Sequence, residues 1–390
     1  MEITIYHYAL CVSLTLMIFF SYRFLFGRLP QKESYRPYRQ SRMMMGAALL
    51  LLSANYMIHF FVTPRLTSPQ LAIVINLCTY WGAVMLFGSA LMMLLERSRI
   101  TRRRIVCHAM AWAGYCVVAW MMWTIVPEGM FRRLMLFLLA AMFLVYASGV
   151  AGRVFHTFRK ARRKLDDYYS EDSEAYIRWM SVFTYWAVVF GVAQGIFTFL
   201  PDRYVFIWII SAIPFYIYLY VSYANYFLFY ERVEGALTTA DYSAKPGAIN
   251  MSPTPQGSQD CYEKELCSKA AAHPGISLQQ EEMLEKRIKA WIERHGFAIG
   301  GLTIEDVARE TGSNRTYISS LISKQYGISF REWINGMRLE YAKELMKSNP
   351  DMPVGEVARR AGYLSMSYFS KTFKEAEGIP PGKWNGMTRK

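Results

Sequence analysis

The sequence predicts an all-α chain in two parts. The first is a polytopic membrane domain of seven helices; the second is a cytoplasmic helical domain with two helix-turn-helix units joined by a long helix. Three observations lead there. Seven apolar stretches in the first 234 residues are each long enough to cross a hydrocarbon core of about 30 Å. The connections between them alternate between rich and poor in Lys and Arg. Near the carboxy terminus one short pattern occurs twice, and each copy is followed by a polar start and a helical apolar run.

The apolar stretches run near Ile5–Phe26, Met43–Val62, Leu71–Leu95, Ile105–Val126, Leu134–Gly152, Trp179–Leu200 and Tyr204–Tyr230. Connection 27–42 carries Arg28, Lys32, Arg36, Arg39 and Arg42, connection 96–104 carries Arg97, Arg99 and Arg102 to Arg104, and connection 153–176 carries six basic residues from Arg153 to Lys164. The intervening connections hold Arg65, then Arg132 and Arg133, then Arg203, and residues 1–4 hold no Lys or Arg. Basic connections stay on the cytoplasmic side, which puts the amino terminus outside and the carboxy terminus inside. The first stretch lacks a basic leader and an A-x-A site, so it reads as a span rather than a cleaved signal peptide.

Polar groups punctuate these spans. Asn55 and His59 lie one turn apart on the second; Asn76, Thr79, Gln194 and Asn225 lie in others. They read as interhelical hydrogen bonds, with a ligand site as the alternative. Gly191-x-x-x-Gly195 permits close helix packing, and Pro214 predicts a kink in the last span.

The formal net charge is +14. Residues 1–234 hold 23 Lys and Arg against 12 Asp and Glu, residues 235–277 hold 3 against 4, and residues 278–390 hold 18 against 14. Most of the excess is therefore in the membrane half, where topology accounts for it. The net +4 of the last part is compatible with DNA binding without demonstrating it. The six cysteines show neither zinc spacing nor a disulfide framework, which fits a reduced cytosolic side. Cys261 and Cys267 read as isolated exposed thiols, with a redox pair as the alternative.

No catalytic motif appears: there is no H-E-x-x-H, no G-x-S-x-G and no phosphate-binding glycine loop. Glu96 and Glu128 sit at span ends, so the mid-membrane acidic pair of a coupled transporter is missing. No catalytic residue, cofactor or metal site is assigned.

Residues 235–277 change character. Pro246, Pro253, Pro255 and Pro274 stand among Gly, Ser, Thr and Ala, which predicts a flexible cytoplasmic linker. A coil of roughly 40 residues has an r.m.s. reach of about 35 Å.

From Leu278 the apolar spacing becomes helical, with Met283, Leu284, Ile288, Trp291 and Ile292 on one helix that ends near His295-Gly296. The repeated pattern follows. Val307-Ala308-Arg309-Glu310-Thr311-Gly312 is echoed by Val357-Ala358-Arg359-Arg360-Ala361-Gly362. Thr303 is a natural N-cap with Asp306 three residues on. Gly312 supplies a turn, and Ser313 or Asn314 caps a second helix that runs to about Gln325. A long helix, about Phe330–Met346, carries Trp333, Ile334, Met337, Leu339, Tyr341 and Leu345 and ends at Asn349-Pro350. The second copy repeats the plan with Ser365 as cap and Gly378 as stop. Its Gly-to-Gly interval is one residue longer than that of the first.

Residues 280–388 resemble the DNA-binding domain of the AraC/XylS family of bacterial transcription regulators. The residues that carry the likeness are Leu302-Thr303-Ile304-x-x-Val307-Ala308, Gly327-Ile328-Ser329-Phe330, Arg338-Leu339-x-x-Ala342 and Val357-Ala358-x-x-Ala361-Gly362-Tyr363. To these is added the run from Tyr368-Phe369-Ser370-Lys371 through Phe373-Lys374 to Gly378-Ile379-Pro380-Pro381. The resemblance implies two helix-turn-helix units reading successive major grooves of double-stranded promoter DNA. Typical family members carry a soluble sensory domain; this chain departs from that, so their ligands do not carry over.

Ile318, Leu321 and Ile322 should face the core of the first unit, leaving Arg315, Thr316, Ser319 and Ser320 outward. Phe369 and Phe373 do the same in the second, leaving Ser365, Met366, Ser367, Ser370 and Lys371 outward. The resemblance implies that these nine residues contact DNA, with Lys371 on a base or phosphate and Arg315 on phosphate. The sequence is accordingly read as a multi-pass regulator of a bacterial inner membrane. Residues 1–234 span the bilayer and sense a signal or set location; residues 278–390 bind DNA and recruit RNA polymerase. A homodimer is expected on family grounds only. The alternatives are a receptor whose DNA-binding part is freed by cleavage within 235–277, and a transporter fused to a regulator. The signal ligand, the target genes and the sign of regulation are not encoded legibly.

Overall fold

The computed structural model describes residues 2–96, 100–172, 174–197, 205–243 and 278–388. Two compact units result: residues 1–161 with 175–235, and residues 162–174 with 236–390. Among the described residues the regular elements are helical, with one antiparallel bridge between Tyr169 and Thr303.

In the first unit, helices α1 (Glu2–Phe26), α2 (Arg36–Phe61), α3 (Pro69–Leu95) and α4 (Arg102–Ile125) pack as sequence neighbours, followed by α5 (Met130–Asp166), α6 (Glu174–Phe197) and α7 (Val205–Tyr226). Five helices among the described residues are long and apolar enough to cross a membrane, ending with Arg102–Ile125 and Met130–Asp166. The sixth and seventh predicted spans coincide with α6 and α7, and the predicted ends at Leu200 and Tyr204 lie outside the described residues. Pro214 stands inside α7. Gly191-x-x-x-Gly195 and Gln194 lie on α6 at positions whose side-chain packing is outside the described residues.

The bundle interior mixes aromatic stacking with short polar links. Trp81 is sandwiched between Tyr115 and Tyr146, with ring centroids 4.4 and 4.2 Å away. Asn55 Nδ2 donates to Asn76 Oδ1 and Thr79 Oγ1, each at 3.1 Å, and His59 Nε2 lies 3.0 Å from Asn76 Oδ1. The polar groups of the second and third predicted spans thus bind each other across α2 and α3, as the interhelical reading expects. Asn225, in contrast, is exposed.

One expectation is corrected. The fifth span does not give way to a loop at Arg153: α5 continues to Asp166, 37 residues in all, or roughly 55 Å at 1.5 Å per residue. Arg153 to Lys164 stand on this helix. Arg, Lys and Ala favour helix there, and Val154, Phe158, Ala161 and Leu165 recur at helical spacing and are buried. Similarly, helix α8 (Tyr230–Ser243) occupies the start of the predicted linker, whose remainder, 244–277 with Cys261 and Cys267, lies outside the described residues.

The second unit opens with α9 (Leu278–Glu293). Its inner face is Leu284, Ile288 and Trp291, an i, i+4, i+7 stripe, whereas Met283 is exposed. Two helix pairs follow, α10 (Ile304–Glu310) with α11 (Arg315–Tyr326), and α13 (Val354–Arg360) with α14 (Met366–Glu377); α12 (Phe330–Ser348) joins them and α15 (Pro381–Thr388) closes the chain. Trp291 stacks on Trp333 at 6.0 Å and its indole donates to Glu310 at 2.9 Å. Along α12, Phe330, Trp333, Ile334, Leu339, Ala342 and Met346 are buried, while the predicted core positions Met337, Tyr341 and Leu345 are half-buried.

Side-chain caps fix the starts of α10, α11, α12 and α14. Thr303 and Asp306 form a reciprocal box: the Asp306 amide donates to Thr303 Oγ1 at 3.2 Å and the Thr303 amide to Asp306 Oδ2 at 3.0 Å. Asn314, not Ser313, caps α11 by accepting from the Tyr317 amide at 3.0 Å, and Ser365 caps α14. Partial burial pushes the Asp306 carboxyl up, but hydrogen bonds from Thr303, with Arg309 beside it, outweigh this and hold it below its ordinary range. A depressed folded-state value means the stabilisation is present above the unfolded value, about 3.9, and is lost as pH falls through the folded one. Thr303→Ala is therefore expected to weaken α10 by about 0.5–2 kcal/mol, measured as faster amide exchange. The difference between wild type and Asp306→Asn should shrink below about pH 4; a pH-independent difference would contradict this assignment.

The extra residue of the second copy is in its turn. Both second helices have twelve residues, but two residues separate Gly312 and Arg315 while three separate Gly362 and Met366. Tyr363 fills the added length: it is 4% exposed, and its ring lies 5.0 Å from that of Phe369.

Residues 166–172, between α5 and α6 in sequence, belong to this unit and pair with its first helix pair. The Ser170 amide donates to the Leu302 carbonyl at 3.1 Å and the Ile304 amide to the Tyr168 carbonyl at 3.0 Å, flanking the Tyr169–Thr303 bridge. Arg338, fully buried, bonds the carbonyls of Phe297 and Ile299 and the carboxylate of Glu171.

Candidate nucleic-acid interface

The second helix of each pair buries one face and bares another. On α11, Ile318, Leu321 and Ile322 are buried, as the spacing predicts. Thr316 is exposed, and Ser319 and Ser320 are half-exposed. That face continues through Ser323 and Lys324, both exposed, which apolar spacing alone leaves out because it locates the core and stops there.

On α14, Phe369 and Phe373 are fully buried. Tyr368 is buried too: its hydroxyl accepts from Arg331 Nε at 2.9 Å and Asn335 Nδ2 at 2.8 Å, which ties α14 to α12. The opposite face carries Met366, Ser367, Lys371 and Lys374, all exposed, and Ser370, half-exposed. Positions 367, 370, 371 and 374 are one helical stripe. Ser365 is exposed, but its hydroxyl accepts from the Tyr368 amide at 3.3 Å, so its first role is as a cap. Small polar side chains beside one long cation leave a surface that can approach a groove closely. Among the described residues Lys371 has no ion-pair partner, so its ammonium is available to a ligand.

The flanking cations are largely engaged. Arg359 and Arg360 both bind Glu356, at 2.7 Å, and their hydrogen bonds bring its carboxyl down to about 2. Arg309 pairs with Asp306. Arg287 donates to the carbonyls of Thr311 and Gly312 at 3.3 Å, which braces the first turn.

Arg315 departs from the expectation of an outward phosphate ligand. It is half-buried, and its guanidinium carbon lies 5.1 Å from the centre of the Tyr168 ring. Its Nη1 is buried without a hydrogen-bond partner among the described residues. The residues that fix the frame, Asn335, Arg338 and Tyr368, are not among the buried polar groups that the sequence predicts, although Arg338 and Tyr368 fall within the motifs that carry the family resemblance. No cluster suited to a metal ion occurs among the described residues.

Comparison with known proteins bears on the second unit. Residues 307–387 match the helix-turn-helix domain family. The chain is 32% identical over 98 residues to the HTH-type transcriptional regulator ExsA of Pseudomonas aeruginosa, covering 25% of this chain and 34% of that one. It is 34% identical over 106 residues to the uncharacterized HTH-type transcriptional regulator YijO of Escherichia coli, covering 27% and 36%. It is 35% identical over 88 residues to the uncharacterized HTH-type transcriptional regulator YtdP of Bacillus subtilis, covering 23% and 11%. The match thus spans about a third or less of these relatives' length. No solved structure matches the chain.

Proposed function

We propose that this protein is a membrane-integrated transcription regulator that binds promoter DNA through two helix-turn-helix units, α10–α11 and α13–α14. The observation that carries the reading is the pair of twelve-residue helices, each with its apolar face buried and a small, polar, cation-bearing face exposed, inside a segment that matches a helix-turn-helix domain. Arg315, Thr316, Ser319, Ser320, Ser365, Met366, Ser367, Ser370 and Lys371 form the proposed contact surface. RNA polymerase is the proposed partner on the promoter, and a homodimer the proposed assembly.

The membrane part of the proposal rests on the first unit. Large apolar side chains stand exposed along α4 and α5, among them Val106, Met110, Trp120, Phe131, Phe137 and Val145. In water such surface costs about 25 cal/mol per Å²; against lipid it does not. Seven crossings with the amino terminus outside place the second unit in the cytoplasm. A cysteine-labelling scan of the connections checks this: reagent that cannot cross the membrane should modify 63–70, 127–133 and 201–203 and spare the basic connections. Labelling of 27–42 in intact cells would invert the topology.

Selection of duplexes from a random-sequence pool on the full chain in nanodiscs tests the DNA reading. Enrichment of a discrete motif is expected. Lys371→Ala should weaken binding to it by about 1–3 kcal/mol if the ammonium meets a base, or weaken all sequences and lower the salt slope by about one if it meets a phosphate. Unchanged affinity and slope would remove Lys371 from the interface, and no enrichment at all would overturn the function.

A further inference from the structure

The strap of residues 166–172 answers a question the DNA reading raises, namely how membrane helices could influence a DNA-binding domain joined to them through residues 244–277. By sequence the strap is the direct continuation of α5 and precedes α6. By contact it is part of the second unit. Its backbone pairs with 302–304 at the entrance to α10, and Ser170, fully buried, adds a hydroxyl bond to the Leu302 carbonyl at 2.8 Å. Its acidic side chains take the unit's arginines: Asp166 lies 2.7 Å and Asp172 3.5 Å from Arg331, and Glu171 lies 3.2 Å from Arg338. Its Tyr168 ring lies against the Arg315 guanidinium, at the first residue of α11.

We propose that this strap is an autoinhibitory clamp on the first helix-turn-helix unit: while it is docked, Arg315 is withheld from DNA, and undocking releases it to a phosphate. The proposal rests on the DNA-reading role above. Three features support it. The strap's Asp167, with Glu305, sets negative charge near the Arg315 guanidinium beside the Tyr168 ring, the kind of charge a phosphate would bring. Among the described residues the buried Arg315 Nη1 has no acceptor, a standing cost of the docked state that a phosphate oxygen would remove. Finally, a displacement of α5 against α6 would act on the strap directly, whereas residues 244–277 need transmit nothing.

The bridge provides its own test. Tyr169 and Thr303 are opposed between two flanking backbone bonds, a non-hydrogen-bonded antiparallel pair, whose Cα atoms lie about 4.5 Å apart and so within disulfide reach. Full-length Tyr169→Cys/Thr303→Cys protein, with Cys261 and Cys267 changed to Ser, is reconstituted in nanodiscs, and a duplex is selected from a random pool on its reduced form. Oxidation is expected to form the disulfide, scored by linked peptides, and to weaken binding of that duplex by about 5- to 150-fold, the usual range of allosteric coupling, reversibly with reductant. Asp166→Asn with Asp172→Asn, which loosens the strap from Arg331, should tighten binding to the duplex selected on wild type. If the disulfide forms and affinity is unchanged, the clamp does not gate DNA. If the disulfide never forms, the docked strap is refuted. If linkage is observed but no duplex is ever selected on the reduced protein, the DNA reading itself fails and takes the clamp with it.

Discussion

Arg338→Ala is expected to destabilise the second unit by about 3–5 kcal/mol, the range found when one partner of a buried ion pair is removed. The guanidinium is fully buried, and each arm has its own acceptor. Nε bonds the Phe297 carbonyl at 2.9 Å, Nη2 the Ile299 carbonyl at 2.7 Å and Nη1 the Glu171 carboxylate at 3.2 Å. Its plane also lies over the Tyr363 ring, 5.5 Å from the centre. Alanine removes the arginine donor from two carbonyls and from the Glu171 carboxylate, which keeps the Gly301 amide at 3.5 Å. Lysine restores charge but not the fork, so Arg338→Lys should recover only part of the loss. Hydrogen exchange of the amides in α10, α12 and α13 reads the effect locally, without requiring the whole chain to unfold. Exchange unchanged in Arg338→Ala would show that α12 is held chiefly by its apolar face.

Gly362→Ala should be severely damaging to the second unit. The residue has φ of +88°, and a Cβ built there would lie 2.6 Å from both the carbonyl carbon and oxygen of Ala298. The obstacle is backbone, so no rotamer relieves it. A strained left-handed position alone costs about 1–3 kcal/mol for a side-chain-bearing residue, and the clash adds to that. Gly327 is the control: its φ is +67°, but a Cβ there meets nothing within 4 Å, so Gly327→Ala should cost only the conformational penalty, about 1–2 kcal/mol. Comparable melting shifts for the two variants would mean that the turn at 362 yields freely.

These two positions show what a sequence reader can and cannot see. The helix pairs are legible because each is punctuated by glycine, capped by Thr, Asn or Ser, and striped with Ile, Leu or Phe at helical spacing. The exposed faces of the second helices follow by elimination from that stripe. Arg338 is not legible as core, since a lone arginine on a helix ordinarily reads as solvated surface, and only the fold brings three acceptors to it. The extra residue of the second copy is countable, but its location in the turn depends on Tyr363 being buried. The strap escapes for a different reason. Asp166 to Asp172 follow a run of six basic residues, so the stretch reads as one cytoplasmic loop, and its pairing partners lie more than 130 positions away in sequence. Arg315 is half-buried for the same reason: Tyr168 of the strap lies against its guanidinium.

The central claim is that this chain reads DNA while in the membrane. It is tested most directly by crosslinking and genome-wide sequencing of DNA bound to the full-length, membrane-embedded protein, with Lys371→Ala as the control. Discrete promoter peaks that disappear in the variant are the expected result. A profile without peaks, or one indifferent to Lys371, would contradict the account.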